Sequence, residues 1–581
     1  MPAPSAQIRL INLKQNLEYN DLQGASDHQN VGGKAQGLLF ARQALASIDH
    51  QMFSDITIDI PSMTVIETGV FDAFMERNQL EDVAFSNQPD ERIAHAFQKA
   101  DMPFEVLGKL HKIIHQGPNT PLAIRSSGLL EDTTRNPFAG VYLTKMIPNN
   151  HQDPNIRFQK LIEAIKFVWA STYFRIAKDY CQATGLDIRS EKMAVIIQDL
   201  VGKCYQNRYY PELSGVVRSF NYYPLKPALP HDGVVDLALG LGKTIVDGGK
   251  SWTYSPAYPL VSPPFESVDE IIEGTQNEFW AVNLGEPPEY NPIKENEFLQ
   301  KLNLTAADRD GALVNLASTY DIHAERLSMG VASKGPRVLN FAPLLFTDIL
   351  PFNQLVKTIL SKCEQALKTA VEIEFAMTFD PPHFNFLQVR PMLIPSEEMT
   401  VSDEELNQPG ALVASENVLG NGFLEHIQDI VYVKPDRFDL QYTKQIAEEL
   451  EKINHQLLEE KRPYCLIVFG RLGTLDPWLG IPVSWGQVCG ARVIVEATQE
   501  NVKVELSQGS HYFHNIINLG VMYFSMPFTG PYRVDWDWIH RQPDTRVGEF
   551  VNHARLAASL KVKVDGRRGR GVICQDDNLF N

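Results

Sequence analysis

The stretch VEIEFAMTFDPPHFNFLQVRPM, residues 371–392, brings a carboxylate, an amide and a guanidinium into one short segment. Both arms are rich in strand formers, and Asp380-Pro381-Pro382-His383 reads as the turn of a β-hairpin. With the turn centred on Pro381, Glu374 and Gln388 are equidistant from it and face each other, roughly 5 Å apart at Cβ. Arg390 lies two residues beyond Gln388 and shares its face. Carboxylate and amide oxygens suit Mg²⁺, a hard cation that keeps substrate phosphates in its shell. The guanidinium suits a phosphate oxygen, which it grips bidentately. The same residues also suit the wet face of a surface hairpin. Two further cations stand at turns. Lys34 follows Gly32-Gly33, which let a backbone approach closely. Arg125 ends the apolar run of PLAIRSSGLLEDTTRNPFAGVY, residues 121–142, where a strand gives way to polar turns. Alone, the first is more often a solvated turn and the second more often a salt-bridge partner.

Other chemistries are excluded. Gly242-Lys243-Thr244 and Gly249-Lys250-Ser251 end like P-loops, but Leu237 and Thr244 occupy the positions of the required first glycine. A net charge of -18 argues against a nucleic-acid binder and against docking on anionic lipid. The 6 cysteines form no C-x-x-C pair, so reduced, buried thiols in a cytoplasmic protein are expected. No apolar run of about 18 residues is present, and the N-terminus lacks the pattern of a secretory signal.

The elements that must position these groups are legible in part. A chain of 581 residues needs several cores. Residues 31–46 read as a glycine turn feeding a helix, and 56–65 as a strand broken by Pro61. Residues 156–184 read as one long amphipathic helix stopped at Gly185. MAVIIQDL (193–200), SGVVRS (214–219) and GVVDLALGLG (233–242) read as buried strands, the last entering a glycine loop. The acidic stretch 396–410 reads as a linker, and a charged helix is expected over 442–462.

In this order the motifs resemble the N-terminal nucleotide-binding domain of phosphoenolpyruvate synthase and pyruvate phosphate dikinase. The resemblance rests on VGGKAQGL, IRSSGLLEDTTRNPFAGVY, FVWASTYFRIAKDY, MAVIIQDLV, SGVVRS, LALGLGKTIVDGG and VEIEFA…FLQVRPM, and covers residues 30–395. It implies an α+β or α/β multidomain chain, with an ATP-grasp-type fold over residues 1–395, in two or more subdomains, that binds ATP and Mg²⁺. Lys34 and Arg125 would hold ATP phosphates, Glu374 and Gln388 would ligand Mg²⁺, and Arg390 would contact the transferred phosphate. Gln198 would border the adenine, and the loop of Gly240, Gly242 and Lys243 would lie over the phosphates. Two departures stand out: Lys243 replaces a family glutamate, and Arg218 sits where the family favours a small polar residue. Both are expected to add positive charge near the nucleotide.

The family's phosphohistidine motif and its pyruvate-binding barrel have no counterpart in residues 411–581, which read as a smaller α/β unit, swivel-like at GIPVSWGQVCGARVIVEA. His511 in SQGSHYFHN is the candidate phosphoryl acceptor, with a structural turn histidine as the alternative. Arg471, Asp476 and Trp478 form either a polar pocket or a turn. The expected activity is a dikinase-type phosphotransferase acting from Mg·ATP on a histidine or on an unidentified small molecule or partner protein. The alternatives are a nucleotide-binding regulatory subunit without turnover and an ATP-grasp ligase.

Overall fold

A computed structural model describes residues 10–13, 30–131, 140–222, 224–261, 267–347, 349–392, 399–474, 480–499, 516, 519–566 and 568–575. The protein is a mixed α/β, multi-sheet structure. Among the described residues no helix is long and apolar enough to cross a membrane. All 6 cysteines are free, and Cys204 alone of them is exposed.

Two antiparallel-rich sheets carry the groups singled out above. The first has 5 strands. Its centre is Met193–Asp199, flanked by Met63–Ile66 and by the Arg125 strand, Leu122–Gly128. The second has 6 strands, in the order Trp252–Tyr254, Val234–Ala238, Leu213–Arg218, Val371–Phe379, Pro382–Pro391 and Thr57–Asp59. The Pro61 break thus sends one half of 56–65 to each sheet, because proline supplies no ladder donor. Gly33–Ala46 is helical and buries Leu38, Ala41 and Leu45 against the second sheet's core.

The expected single helix over 156–184 is two, Pro154–Ser171 and Arg175–Thr184. Ser171 Oγ donates to the Val168 carbonyl at 2.7 Å, and Thr172 and Tyr173 amides close turns onto Trp169 and Ala170. That local competition ends the first helix and lets Tyr173 stack on Phe71 in the core. Gly185, at φ 71°, caps the second helix as its position in the sequence predicts.

The last third builds a 9-stranded sheet. Gly422–Val433, Tyr464–Phe469, Ala491–Ala497 and Met522–Met526 run parallel, and Val551–Asp565 adds antiparallel beside the first of them. Helix Thr443–Glu459 makes the first crossover. The apolar runs in CLIVF and VIVEA suit strands covered on both faces. Within the stretch expected as a linker, Asp403–Leu406 is a helical turn with a Ser402/Glu405 capping box. Glu405 and Asp403 pair with Lys563 and Arg570, and Val401 and Leu406 are buried against Ala414 and Val572, so the stretch packs on the sheet.

The first sheet and the C-terminal sheet share one continuous apolar core, and the second sheet has its own. Cys489 Sγ lies 3.6 Å from the Asp179 carbonyl, and Arg492 donates to the Ala183 carbonyl at 3.2 Å. Burial at this junction pushes the Asp179 carboxyl up to about 6.

Candidate active site

Two distant glycine and serine motifs meet first. Gly32 has φ 76°, and a Cβ there would stand 1.8 Å from the Ser127 carbonyl oxygen, so only glycine fits. Ser127 Oγ donates to the Val31 carbonyl at 2.8 Å and accepts from the Ala35 amide at 3.1 Å. This lock brings Lys34 to Ser126 Oγ at 3.1 Å and into an ion pair with Glu131.

The hairpin is tighter than expected, and it is irregular. Phe379 pairs directly with Pro382, so Asp380 and Pro381 alone make the turn. That register would put Leu387 opposite Glu374. A β-bulge between Phe375 and Glu374 slips the ladder by one, so Gln388 faces Glu374 and Arg390 faces Glu372. The pairing expected from a turn centred on Pro381 therefore arises from a shorter turn plus a bulge. The bulge has a second effect. Phe384 and Phe386 point into the core, and so does Val389, which moves Gln388 and Arg390 onto the opposite face.

That face meets Arg125. Its Nη1 donates to the Leu387 carbonyl at 2.8 Å and to Gln198 Oε1 at 3.3 Å. Its Nη2 donates to Gln388 Oε1 at 2.7 Å and lies 3.5 Å from Glu374 Oε2. One guanidinium thus joins Gln198, Glu374, Gln388 and the bulge carbonyl. Arg390, 3% exposed, donates from Nε to Glu372 Oε1 at 2.9 Å.

These groups line a cavity of 300 Å³ between the first and second sheets. Lys34, Arg125, Gln198, Gly242, Lys243, Glu374, Gln388 and Arg390 all contribute to its wall. Away from the charges the wall is apolar, with Ala123, Met146, Leu200, Val201 and Pro211. Gln198 Nε2 is buried and has no hydrogen-bond partner among the described residues. Gly240 stands behind the wall. It takes φ 81°, its carbonyl accepts from Ser214 Oγ at 2.6 Å, and a Cβ would lie 2.7 Å from the Trp280 carbonyl.

Neither departure from the family pattern adds an unbalanced charge. Lys243 pairs with Asp247 at 2.9 Å and approaches Glu295 at 3.8 Å. Burial opposes its charge, yet these carboxylates overcome it and hold its pKa above the ordinary lysine value. Burial raises the pKa of Asp247 and of Glu295 in turn. Arg218 does not line the cavity and is paired with Glu372 and Asp236. His511, His514, Asp476 and Trp478 lie outside the described residues.

Four carboxylates escaped the sequence reading: Glu131, Asp247, Glu295 and Glu372. Glu372 alternates by two with Glu374 and was recoverable from strand period. Glu131 opens the acidic pair of LLEDTT. Glu295 lies in no motif and is brought to Lys243 only by the tertiary fold.

Comparison with known proteins gives this geometry its family. Residues 28–410 match the model of the pyruvate phosphate dikinase AMP/ATP-binding domain, and the chain belongs to that family. The chain is 26% identical over 382 residues to phosphoenolpyruvate synthase of Aeropyrum pernix, a match covering 62% of this chain and 40% of the relative. A rifampicin phosphotransferase of Streptomyces sviceus matches at 26% over 204 residues, 33% of this chain and 21% of the relative. An uncharacterized phosphotransferase of Bacillus subtilis, YvkC, matches at 25% over 195 residues, 33% and 20%. The chain thus spans less than half the length of each of these relatives.

Proposed function

We propose that this chain is a Mg·ATP-dependent phosphotransferase of dikinase type, built on an ATP-grasp nucleotide-binding domain over residues 1–395, with a smaller α/β domain over 411–581. The observation that carries the proposal is the meeting of Lys34, Arg125, Gln198, Glu374, Gln388 and Arg390 on one cavity wall, from segments as far apart as residues 34 and 390. The names of the relatives, a phosphoenolpyruvate synthase and a rifampicin phosphotransferase, are those of enzymes that transfer phosphoryl groups.

The wall fits a nucleotide from end to end. The apolar part accepts a base, and the unpartnered Gln198 Nε2 offers it a donor. Lys34, Arg125 and Arg390 supply positive charge for a polyphosphate, Arg125 and Arg390 through planar forks. Glu374 and Gln388 present hard oxygens side by side, the donor set Mg²⁺ prefers. When bound, Mg²⁺ neutralises phosphate charge and holds its oxygens in line. The residues of the chain do the rest. They orient the polyphosphate and meet developing negative charge with donors already fixed in place.

The nucleophile is a histidine or a group on another molecule, and within this chain His511 is the candidate. Attack at the γ-phosphorus forms the acceptor–phosphorus bond, breaks the β–γ bridge and releases ADP. Attack at the β-phosphorus forms the acceptor–phosphorus bond, breaks the α–β bridge, transfers pyrophosphate and releases AMP. Incubation with Mg²⁺ and ATP, with and without pyruvate, followed by separation of the nucleotides, tests the proposal. AMP marks dikinase chemistry and ADP a single phosphoryl transfer. ATP that binds tightly and is recovered unchanged across candidate acceptors contradicts the catalytic reading and favours a regulatory subunit.

A further inference from the structure

We propose that Arg218 is a positioning residue that fixes the Arg390 guanidinium in the cavity, acting through Glu372. The proposal rests on the reading of Arg390 as a phosphate contact.

Arg218, Glu372 and Arg390 are direct cross-strand partners, one on each of three adjacent strands. Asp236 sits on the fourth strand, diagonal to Arg218, whose direct partner is Val234. The charges alternate across the sheet as Asp236, Arg218, Glu372, Arg390. All four are buried, at 2%, 5%, 1% and 3% exposure. Thr253, on the next strand, donates to Asp236 Oδ1 at 2.5 Å and continues the row to a fifth strand. Of the five residues Arg390 alone lines the cavity.

The division of oxygens carries the mechanical argument. Glu372 Oε2 accepts from Arg218 Nε at 2.7 Å, and Glu372 Oε1 accepts from Arg390 Nε at 2.9 Å. The terminal torsion of a glutamate is broad, so one arginine alone leaves the carboxylate plane loosely defined. Arg218 sets that plane from behind, and the plane sets the direction of the Arg390 fork. Arg218 Nη1 is in turn held by Asp236 Oδ2 at 2.9 Å. Buried ion networks are poor devices for stability, since apolar replacements often serve equally well or better. A row that ends on a cavity wall gains instead from orienting the group at its end.

The test compares the affinities of Mg·ATP and AMP for the full chain, by calorimetry, in wild type, R390Q, R218K and the double variant R218M/D236N. The double variant removes one charge of each sign, so it leaves no uncompensated buried ion. It is expected to bind AMP as wild type does and Mg·ATP roughly tenfold more weakly. R218K keeps the charge without the fork and is expected to fall between them, and it supplies the reading if the double variant does not fold. A merely structural role would move both nucleotides together or neither. If R390Q weakens Mg·ATP while both Arg218 variants retain the wild-type ratio of affinities, the positioning role is overturned and the site stands. If R390Q itself leaves the ratio unchanged, the assignment of Arg390 fails, and with it the basis of the proposal.

Discussion

Two buried charge clusters in this molecule have nearly the same composition and opposite settings. In the second sheet, Asp236, Arg218, Glu372 and Arg390 cross four strands and end on the cavity wall. In the C-terminal sheet, Asp429 is gripped by Arg462 at 2.7 Å, by Arg555 at 3.0 Å and by His553 at 2.7 Å, with Glu460 beyond Arg555 at 3.0 Å. There the cluster opens to solvent, since Arg555 is 38% exposed. The first cluster aims a buried cation at a cleft, whereas the second anchors a strand and lets its arginines reach water. Residue types alone do not separate the two. What separates them is where the last charge in the row points.

Breaking the first cluster has the largest expected effect. Arg390→Ala removes the cation at the cavity wall, and turnover of ATP should fall by about 10²–10³-fold while the chain stays folded. Wild-type turnover in that variant would remove Arg390 from the site. Arg125→Met, read by titration with Mg·ATP, should weaken binding by about 10-fold or more, because it dissolves the hub that joins Gln198, Glu374 and Gln388.

Breaking the second cluster should separate stability from binding. Asp429→Asn leaves two partly exposed arginines and a histidine around a neutral group, at a cost of about 1–2 kcal/mol in denaturant unfolding, with nucleotide affinity unchanged. Although burial raises the Asp429 pKa, hydrogen bonds from His553, Arg462 and Arg555 outweigh it and hold the carboxyl down at about 2. Its stabilisation is therefore present above the ordinary aspartate range and is lost as the pH falls through about 2. The acid limb of the wild-type stability profile should flatten in the variant.

The smallest effect belongs to Glu191, beside the Lys34 pair. Burial, and then the charge of Glu131, push its carboxyl up to about 7. Its ionisation thus costs folding free energy that grows as the pH rises from the usual glutamate range towards about 7. Glu191→Gln should remove that slope and make the protein more stable than wild type at pH 8 by roughly 1 kcal/mol. Equal thermal midpoints at pH 5 and pH 8 in the wild type would count against this account.

Much of the candidate site was legible because it is built from short motifs with strict local demands. Gly32 is required by a left-handed turn under Ser127, and strand alternation announces Gln388 with Arg390. The bulge was hidden, since no residue type near Leu387 marks it. Two departures, a shorter turn and a slipped ladder, cancelled to give the expected pairing. The helix break at Thr172 escaped a reading based on apolar spacing, because Ser171 and Tyr173 keep the helical period while bonding against it. The Ser402/Glu405 capping box was present in a stretch read as a linker, where the acidic composition hid it. Asp247 lies one helical turn from Lys243 and Glu372 two residues from Glu374, so both were within reach of local periodicity. Glu295 meets Lys243, and Glu372 meets Arg218, only after segments far apart in sequence have packed.

A crystal structure of the full chain with Mg²⁺ and a non-hydrolysable ATP analogue tests the central claim most directly. The account predicts the base against Met146, Leu200 and Gln198, the phosphates at Lys34, Arg125 and Arg390, and metal at Glu374 and Gln388. A nucleotide bound elsewhere, or a cavity left without one under saturating analogue, would contradict it.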